Sequence, residues 1–255
     1  MCFPYKVDNS DGQRSLVTAR DVTMGDILYV EEPIVVGPNH EGEPVCLSCL
    51  TPVSCDTVCS DCEYPMCSRE CAQDPDHADE CGILRQKNSL LNYHTVLPLR
   101  LLLKNSSKKE IFNLTSNLMH HEKQRRESDY WDFSEKHIVE LLNDFCGDFN
   151  WSHEDIRKAV GILEVNAYEI ENYGGSGFRG LYPLSSLVNH GCIDNCTMVM
   201  QKQHPYTNTV VAARNLSAGD EIQSSYVAPI TCGLLRHRAL ESGWLVIIST
   251  NMSLF

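Results

Sequence analysis

Apolar and polar positions change their period more than once along this chain. From Arg14 to Val22 they alternate loosely, and Met24-Gly25-Asp26 supplies a turn. Ile27 to Val36 is then apolar and β-branched until Gly37-Pro38 ends it, so the opening segment predicts strands. A cysteine-rich block follows at once. From Gly82 to about Glu164 the period becomes helical. Ser134 precedes a run in which Ile138, Leu141, Leu142 and Phe145 recur at helical spacing. Ser152 with Asp155 three positions on predicts a capping box, after which Ile156, Ala159, Val160 and Leu163 line one face. Leu97 to Leu103 is apolar, with Pro98 expected near a helix start or a kink. The polar stretch Lys123 to Asp129 predicts a solvated loop or helix end. Past Asn166 strand character returns: Thr207 to Ala213 is β-branched, Ala218-Gly219-Asp220 is a turn, and Glu221 to Val227 predicts a returning strand. No internal repeat and no low-complexity segment is read. The expected class is α+β, a β-rich fold interrupted by a cysteine module and a helical insert.

Composition decides what the cysteines are for. The chain has 255 residues, 42% hydrophobic and 22% charged, enough to bury a core. No apolar run approaches the roughly 20 residues of a membrane span. The opening Met1 to Asn9 lacks the apolar centre of a signal peptide, so the expected setting is intracellular, nucleus and/or cytoplasm, with no membrane. In a reducing compartment 13 cysteines point to metal before disulfides. The net charge of -13 repels phosphate backbones, arguing against nucleic acid and for basic partners such as a lysine-rich protein tail.

The module spans 46–81 and reads Cys46-x2-Cys49, Cys59-x2-Cys62, Cys67-x3-Cys71 and His77-x3-Cys81. A gap of two or three residues lets a close pair share one ion. Tetrahedral zinc takes four such ligands, and a closed set is structural, so eight ligands make two zinc sites. So short a segment cannot bury enough apolar surface to fold alone, and metal supplies the folding energy. Cys55 falls outside the pairs and reads as a bystander. The order of six cysteines, a histidine, then a cysteine resembles the MYND finger; a RING finger would place its histidine earlier and end in a two-residue cysteine pair. The MYND resemblance implies interleaving: Cys46, Cys49, Cys67 and Cys71 on one ion, and Cys59, Cys62, His77 and Cys81 on the other. Between 46 and 81 stand eight carboxylates and one cationic side chain, Arg69. That acidity fits the resemblance's implied role, docking proline-containing peptide partners, better than direct contact with nucleic acid.

Two later segments add chemistry. Arg179-Gly180-Leu181-Tyr182-Pro183 leads into Ser186-Leu187-Val188-Asn189-His190-Gly191-Cys192-Ile193-Asp194-Asn195, and Ala218-Gly219-Asp220-Glu221 runs on to Ser225-Tyr226. In this order, downstream of a MYND-like finger, they resemble the SET domain of the SET- and MYND-containing family of protein-lysine methyltransferases, most like the branch expanded in arthropods. Arg14-Ser15-Leu16-Val17 and Gly25-Asp26-Ile27-Leu28 fit that family's opening strands, and the likeness runs from about residue 12 to about 241. The resemblance implies methyl transfer from S-adenosylmethionine to a lysine of a protein substrate, histone or non-histone. It implies Tyr226 as the catalytic tyrosine, with Gln13, Arg14, Ser15, Asn166, Ser186, Asn189, His190 and Tyr226 around the cofactor. The bland alternatives are a hydrogen-bonded core histidine for His190 and a helix-end cap for Asn166.

The resemblance divides the chain into 1–45 (first part of the SET domain), 46–81 (finger), 82–164 (helical insert), 165–232 (core SET domain) and 233–255 (an atypical short tail). The chain departs from the family at Ser15, where glycine is usual, and at Asp194, where proline is usual. No cysteine follows Cys232, so Cys192 is expected to lack the partners of a post-SET zinc, as in a shortened product. Two functions therefore stand side by side: a lysine methyltransferase resting on Tyr226, Asn189 and His190, and a weak or inactive SET scaffold whose finger recruits a transcriptional partner.

Overall fold

The computed structural model describes residues 3–9, 14–38, 43–54, 57–86, 92–128, 130–145, 149, 151–170 and 177–226, with only the backbone at Gln86 and Phe145. Its strands are β1 (Tyr5–Asp8), β2 (Ser15–Thr18), β3 (Ile27–Glu31), β4 (Val35–Pro38), β5 (Ala167–Ile170), β6 (Phe178–Leu181), β7 (Asn189–His190), β8 (Cys196–Met200), β9 (Asn208–Ala212) and β10 (Gln223–Ser224). Its helices are α1 (Arg69–Ala72), α2 (Pro75–Gln86), α3 (Tyr93–Ser107), α4 (Lys109–Thr115), α5 (Glu122–Arg125), α6 (Trp131–Ser134), α7 (Glu140–Phe145) and α8 (His153–Asn166). The chain divides into two compact units, Met1–Glu32 with Leu184–Phe255, and Pro33–Pro183. Among the described residues no helix is long and apolar enough to cross a membrane.

In the first unit β1 pairs antiparallel with β2, β9 lies between β3 and β8 in an antiparallel sheet, and β10 pairs parallel with β7. Leu16, Leu28, Tyr29, Val188, Val210 and Ile222 are fully buried between these pieces. Strict alternation would bury only one of Leu28 and Tyr29. A register shift between Ile27 and Tyr29 lets both face inward. The two expected turns form alike, because Asp26 accepts the Thr23 N–H and Asp220 the Ser217 N–H, each at 2.8 Å.

The second unit holds a three-stranded antiparallel sheet of order β4-β6-β5, the finger and the helices. The expected stretch Ile27 to Val36 is thus two strands in different units. Pro33 cannot donate to a ladder, and Glu31 turns its carboxylate to the N–H groups of Leu184 (2.6 Å) and Ser185 (2.8 Å), capping the short 3₁₀ turn Ser185–Leu187. Gly37-Pro38 forms the last two residues of β4, an edge strand, where a missing donor is tolerated. A Cβ on Gly37 would stand 3.0 Å from Leu97 Cβ, so the glycine sets how closely α3 packs on β4.

The helical stripe is core, with Ile156, Ala159, Val160 and Leu163 of α8 buried. Ser152 accepts from the Asp155 N–H and Asp155 accepts from the Ser152 N–H, closing the capping box. Pro98 sits in the second turn of α3. Two expectations need correction, and a third holds with one exception. Helix begins inside the finger, with α1 at Arg69 and then α2, which starts at Pro75 and runs on past 82. Ser134 does not open its helix: α6 starts at Trp131 and continues through a π-helical segment, Glu135–Val139, into α7. The extra residue in that turn buries Ile138 and Val139 together, with Leu142. Lys123 to Asp129, expected as a solvated loop or helix end, is the end of α5 and exposed except at Arg125; Asp129 lies outside the described residues. Arg125 of α5 is buried, ion-paired with Glu164 and 5.4 Å from the Trp131 ring. Burial pushes the Glu164 carboxyl above its ordinary range despite that pairing.

Removing one member of a buried pair leaves a charge without compensation. Arg125→Met is therefore expected to lower unfolding free energy by about 3 kcal/mol, whereas Ser152→Ala removes one cap and lowers it by about 1 kcal/mol. Urea unfolding checks both. Equal small losses would mean that Glu164 regains water when Arg125 goes.

Candidate functional site

Each Cys-x2-Cys pair sits in the same tight turn. Leu50 N–H donates to Cys46 O at 2.8 Å, and Glu63 N–H donates to Cys59 O at 3.0 Å. Leu50 and Glu63 both take left-handed backbone, with φ of 55° and 64°. Bridges Val45–Pro52 and Val58–Pro65 close the two turns. The sequence Val45-Cys46-x2-Cys49-x2-Pro52 recurs as Val58-Cys59-x2-Cys62-x2-Pro65. The chain therefore does contain a short internal repeat. Reading for periods of whole structural elements overlooked it, because the unit is one metal-binding knuckle.

Helices supply the remaining ligands. Ser68 caps α1 by accepting the Cys71 N–H at 3.2 Å, which turns Cys71 back toward Cys67. On α2, His77 and Cys81 fall four residues apart, on one face. The ligand atoms gather as Cys46, Cys49, Cys67 and Cys71, and as Cys59, Cys62, His77 and Cys81, each set within 4.8 Å. This is the interleaved grouping. Neighbouring sulfurs are 3.4 to 3.8 Å apart, far beyond a disulfide bond. Four sulfurs at zinc–sulfur distance would be separated by roughly 3.8 Å. Thiolate and imidazole donors in closed sets of four fit zinc. Cys55 lies outside the described residues.

Behind His77 stands a group that ligand spacing did not single out. His77 Nε2 faces Cys62 Sγ at 3.7 Å, while Nδ1 lies 3.3 Å from Glu80 Oε1. Glu80 is fully buried. Arg100 forks onto it, donating from Nε to Oε2 at 2.7 Å and from Nη2 to Oε1 at 2.6 Å. Arg100 also donates to Leu47 O at 2.5 Å and Val36 O at 2.7 Å. Burial alone would raise the Glu80 carboxyl; the Arg100 guanidinium outweighs it and holds Glu80 below the ordinary carboxylate range. A cation inside the apolar run Leu97 to Leu103 was the sequence signal for this group.

In the first unit, β7 and β10 bring the two later motifs side by side: Asn189 pairs with Gln223, and His190 with Ser224. A Cβ on Gly191 would meet Gln223 Cβ at 2.8 Å, so the strands approach this closely only with glycine there. Asn195, buried, fastens the crossing by donating to Glu221 O at 2.7 Å and accepting the Gln223 N–H at 2.8 Å. Asp194 accepts the Ser225 N–H.

Tyr226 follows directly. Its hydroxyl donates to Val188 O at 2.8 Å, and its N–H donates to His190 Nδ1 at 3.1 Å. Since Nδ1 accepts, the neutral imidazole carries its proton on Nε2, which lies 3.4 Å from Cys192 Sγ. The two rings meet edge to face at 5.4 Å. Burial, with Glu221 nearby, pushes the Tyr226 phenol up to about 12. Asn189 Nδ2 donates to Glu221 Oε1 at 2.8 Å and reaches Arg14 O at 3.5 Å. Ser15 opens β2, half-buried, and Ser186 lies in the turn capped by Glu31. Arg14, Ser15, Ser186, Asn189, His190 and Tyr226 thus belong to one unit. Gln13 lies outside the described residues. Asn166 belongs to the other unit, where its Nδ2 donates to Ile162 O and Met119 O, both at 2.7 Å, as a helix-end cap would. Glu31, Glu221 and Asn195 were not among the expected site residues, although the last two stand inside the motifs.

Known proteins match this arrangement. A family model described as the SET domain matches residues 13–227. Histone-lysine N-methyltransferase ASHR1 of Arabidopsis thaliana is 26% identical over 252 residues, covering 91% of this chain and 51% of that protein. The SET domain-containing protein SmydA-8, isoform A, of Drosophila melanogaster is 24% identical over 244 residues, covering 89% and 51%. The structure of Rubisco LSMT bound to AdoMet superposes with a TM-score of 0.51 at 14% identity, covering 98% of this chain and 53% of that one. The chain spans about half the length of the curated relatives it matches. With the family model covering most of its length, the chain belongs to the SET domain family.

Proposed function

We propose that this chain is the methyl-transferring part of a protein-lysine methyltransferase that uses S-adenosylmethionine and carries a two-zinc docking finger. The observation that carries this reading is the parallel pairing of β7 with β10, which sets Asn189, His190 and Tyr226 together within a SET domain. In the proposed reaction the unprotonated lysine nitrogen attacks the methyl carbon in line with the sulfonium sulfur. The N–C bond forms as the C–S bond breaks, and its electron pair returns to sulfur. The lysine's proton has already left to solvent. Such a displacement needs alignment and exclusion of water, and no covalent enzyme intermediate.

The Tyr226 hydroxyl commits its proton to the Val188 carbonyl, so its oxygen lone pairs serve as acceptors for the amine or the polarised methyl hydrogens. With its phenol pushed up to about 12 it stays neutral through the working range, and so acts by position rather than by charge. Gln13, Arg14, Ser15, Ser186, Asn189 and His190 are the proposed cofactor contacts. Rubisco LSMT, a neighbour in fold, binds AdoMet, which supports the choice of cofactor. The finger's proposed role is to hold proline-containing peptides or other protein partners. A net charge of -13 supports protein over nucleic acid. A reducing setting, nucleus or cytoplasm, would keep its ligand thiols available.

One observation favours a second reading, a SET scaffold whose working part is the finger. The side chains of Asn189 and His190 are both committed to bonds within the protein. Calorimetry of the zinc-loaded chain against S-adenosylmethionine separates the two: the enzyme reading expects saturable binding of one molecule per chain, and no heat of binding leaves only the scaffold. Tyr226→Phe is expected to lower kcat by about 10²-fold while cofactor affinity stays within a factor of three or so. Up to pH 10 the rate of the parent protein should show no limb assignable to Tyr226. A limb that vanishes in Tyr226→Phe would show that the phenolate takes part.

A further inference from the structure

The finger's two metal sites differ in what stands behind their ligands. The Cys46, Cys49, Cys67 and Cys71 set consists of thiolates alone. The other contains His77, and an imidazole must present the correct nitrogen, with its lone pair free, before it binds an ion. Nε2 is the nitrogen facing Cys62, so Nδ1 must carry the proton. A proton on Nδ1 needs an acceptor, and Glu80 Oε1 lies 3.3 Å away.

A carboxylate in that place is costly by itself. Glu80 is fully buried, and an isolated buried anion loses far more in hydration than one hydrogen bond returns. The fork of Arg100 supplies the compensating charge and fixes both carboxylate oxygens. Arg100 is itself held in place by the Val36 carbonyl of β4 and by the Leu47 carbonyl, between Cys46 and Cys49. The carboxylate therefore has neither room to rotate nor reason to leave, and His77 is held by a chain of bonds that ends on main-chain oxygens.

We propose that Glu80, oriented by Arg100, is the positioning residue of the Cys59, Cys62, His77 and Cys81 metal site, holding His77 in the tautomer whose Nε2 binds the ion. The inference rests on the finger holding zinc, as proposed above. Second-sphere partners of ligating histidines contribute roughly 10- to 100-fold in metal affinity. They do so by orienting the ring and raising its basicity, so the effect should be confined to the ion that His77 binds. Loss of a carboxylate that merely supported the fold would weaken both sites, and would do so whether or not His77 were present.

The experiment is a double-mutant cycle on the full chain, read by zinc competition against a chromophoric chelator. The parent protein should bind two zinc ions; fewer than two would overturn the zinc reading and this inference with it. Glu80→Gln should weaken one of the two ions by about 10- to 100-fold and leave the other unchanged. His77→Cys replaces the imidazole with a thiolate that has no tautomer to fix. In that background Glu80→Gln should change affinity by less than about threefold, since contacting groups give non-additive effects and groups without a shared role do not. An equal penalty in both backgrounds, or equal weakening of both ions, would assign Glu80 a purely structural part and sink the proposal. So would two ions held with unchanged affinity in Glu80→Gln. Nitrogen-15 NMR of the His77 ring in the zinc-loaded parent gives an independent reading: the proton is expected on Nδ1, and a proton on Nε2 would overturn the assignment.

Discussion

A single buried guanidinium holds the Pro33–Pro183 unit in register. Arg100 reaches from α3 to a strand of the sheet, to a knuckle of the finger and to the carboxylate behind a metal-facing histidine. Each of those three pieces is weak alone. The finger has too little apolar surface, β4 is a four-residue edge strand, and α3 carries a proline in its second turn. Buried ion pairs contribute little net stability against an apolar replacement, because desolvation offsets the attraction. An arrangement that separates the members is nonetheless heavily penalised, because it leaves a buried charge unpaired. Glu80 and Arg100 therefore specify how finger, helix and strand meet, more than how tightly.

The same logic explains which parts of this molecule were legible in its sequence. Ligand spacing, the capping box, the stripe of α8 and the two aspartate turns all follow from neighbours a few residues apart, and all are present. The Asn-His and tyrosine segments were legible as motifs, and the strand pairing supplies the reason for their distance in sequence. What escaped notice depends on contacts between distant segments. Arg125 reads as part of a polar stretch until Glu164, on another helix, is placed beside it. Glu31 reads as the end of a strand until the N–H groups of Leu184 and Ser185 come within reach. Arg100 was visible as a misfit in an apolar run, but the misfit names no partner. The split of the opening strand was there to be read in Pro33, whose missing donor breaks a ladder.

Around Tyr226 the construction is of a different kind. There the main chain does most of the positioning. A tyrosine hydroxyl on a carbonyl, a main-chain N–H on an imidazole and an asparagine amide bridging two strand carbonyl and amide groups leave few rotatable contacts to drift. Reactions that require alignment rather than acid or base strength gain most from such a setting. The half-buried Ser15 pairs with Asp8 where β1 meets β2.

The repeated knuckle carries a consequence for how the finger comes to be assembled. Val45 to Pro52 and Val58 to Pro65 are locally equivalent hands, each offering two thiolates in the same turn. Equivalent hands admit two ways of choosing partners. The first could close with Cys67 and Cys71, or with His77 and Cys81, and ligand chemistry alone distinguishes the two poorly. In the native pairing the guanidinium that grips Leu47, in the first hand, also grips the carboxylate at His77, which serves the second. The observed grouping is thus braced from outside the finger, by a helix that begins twelve residues after its last ligand.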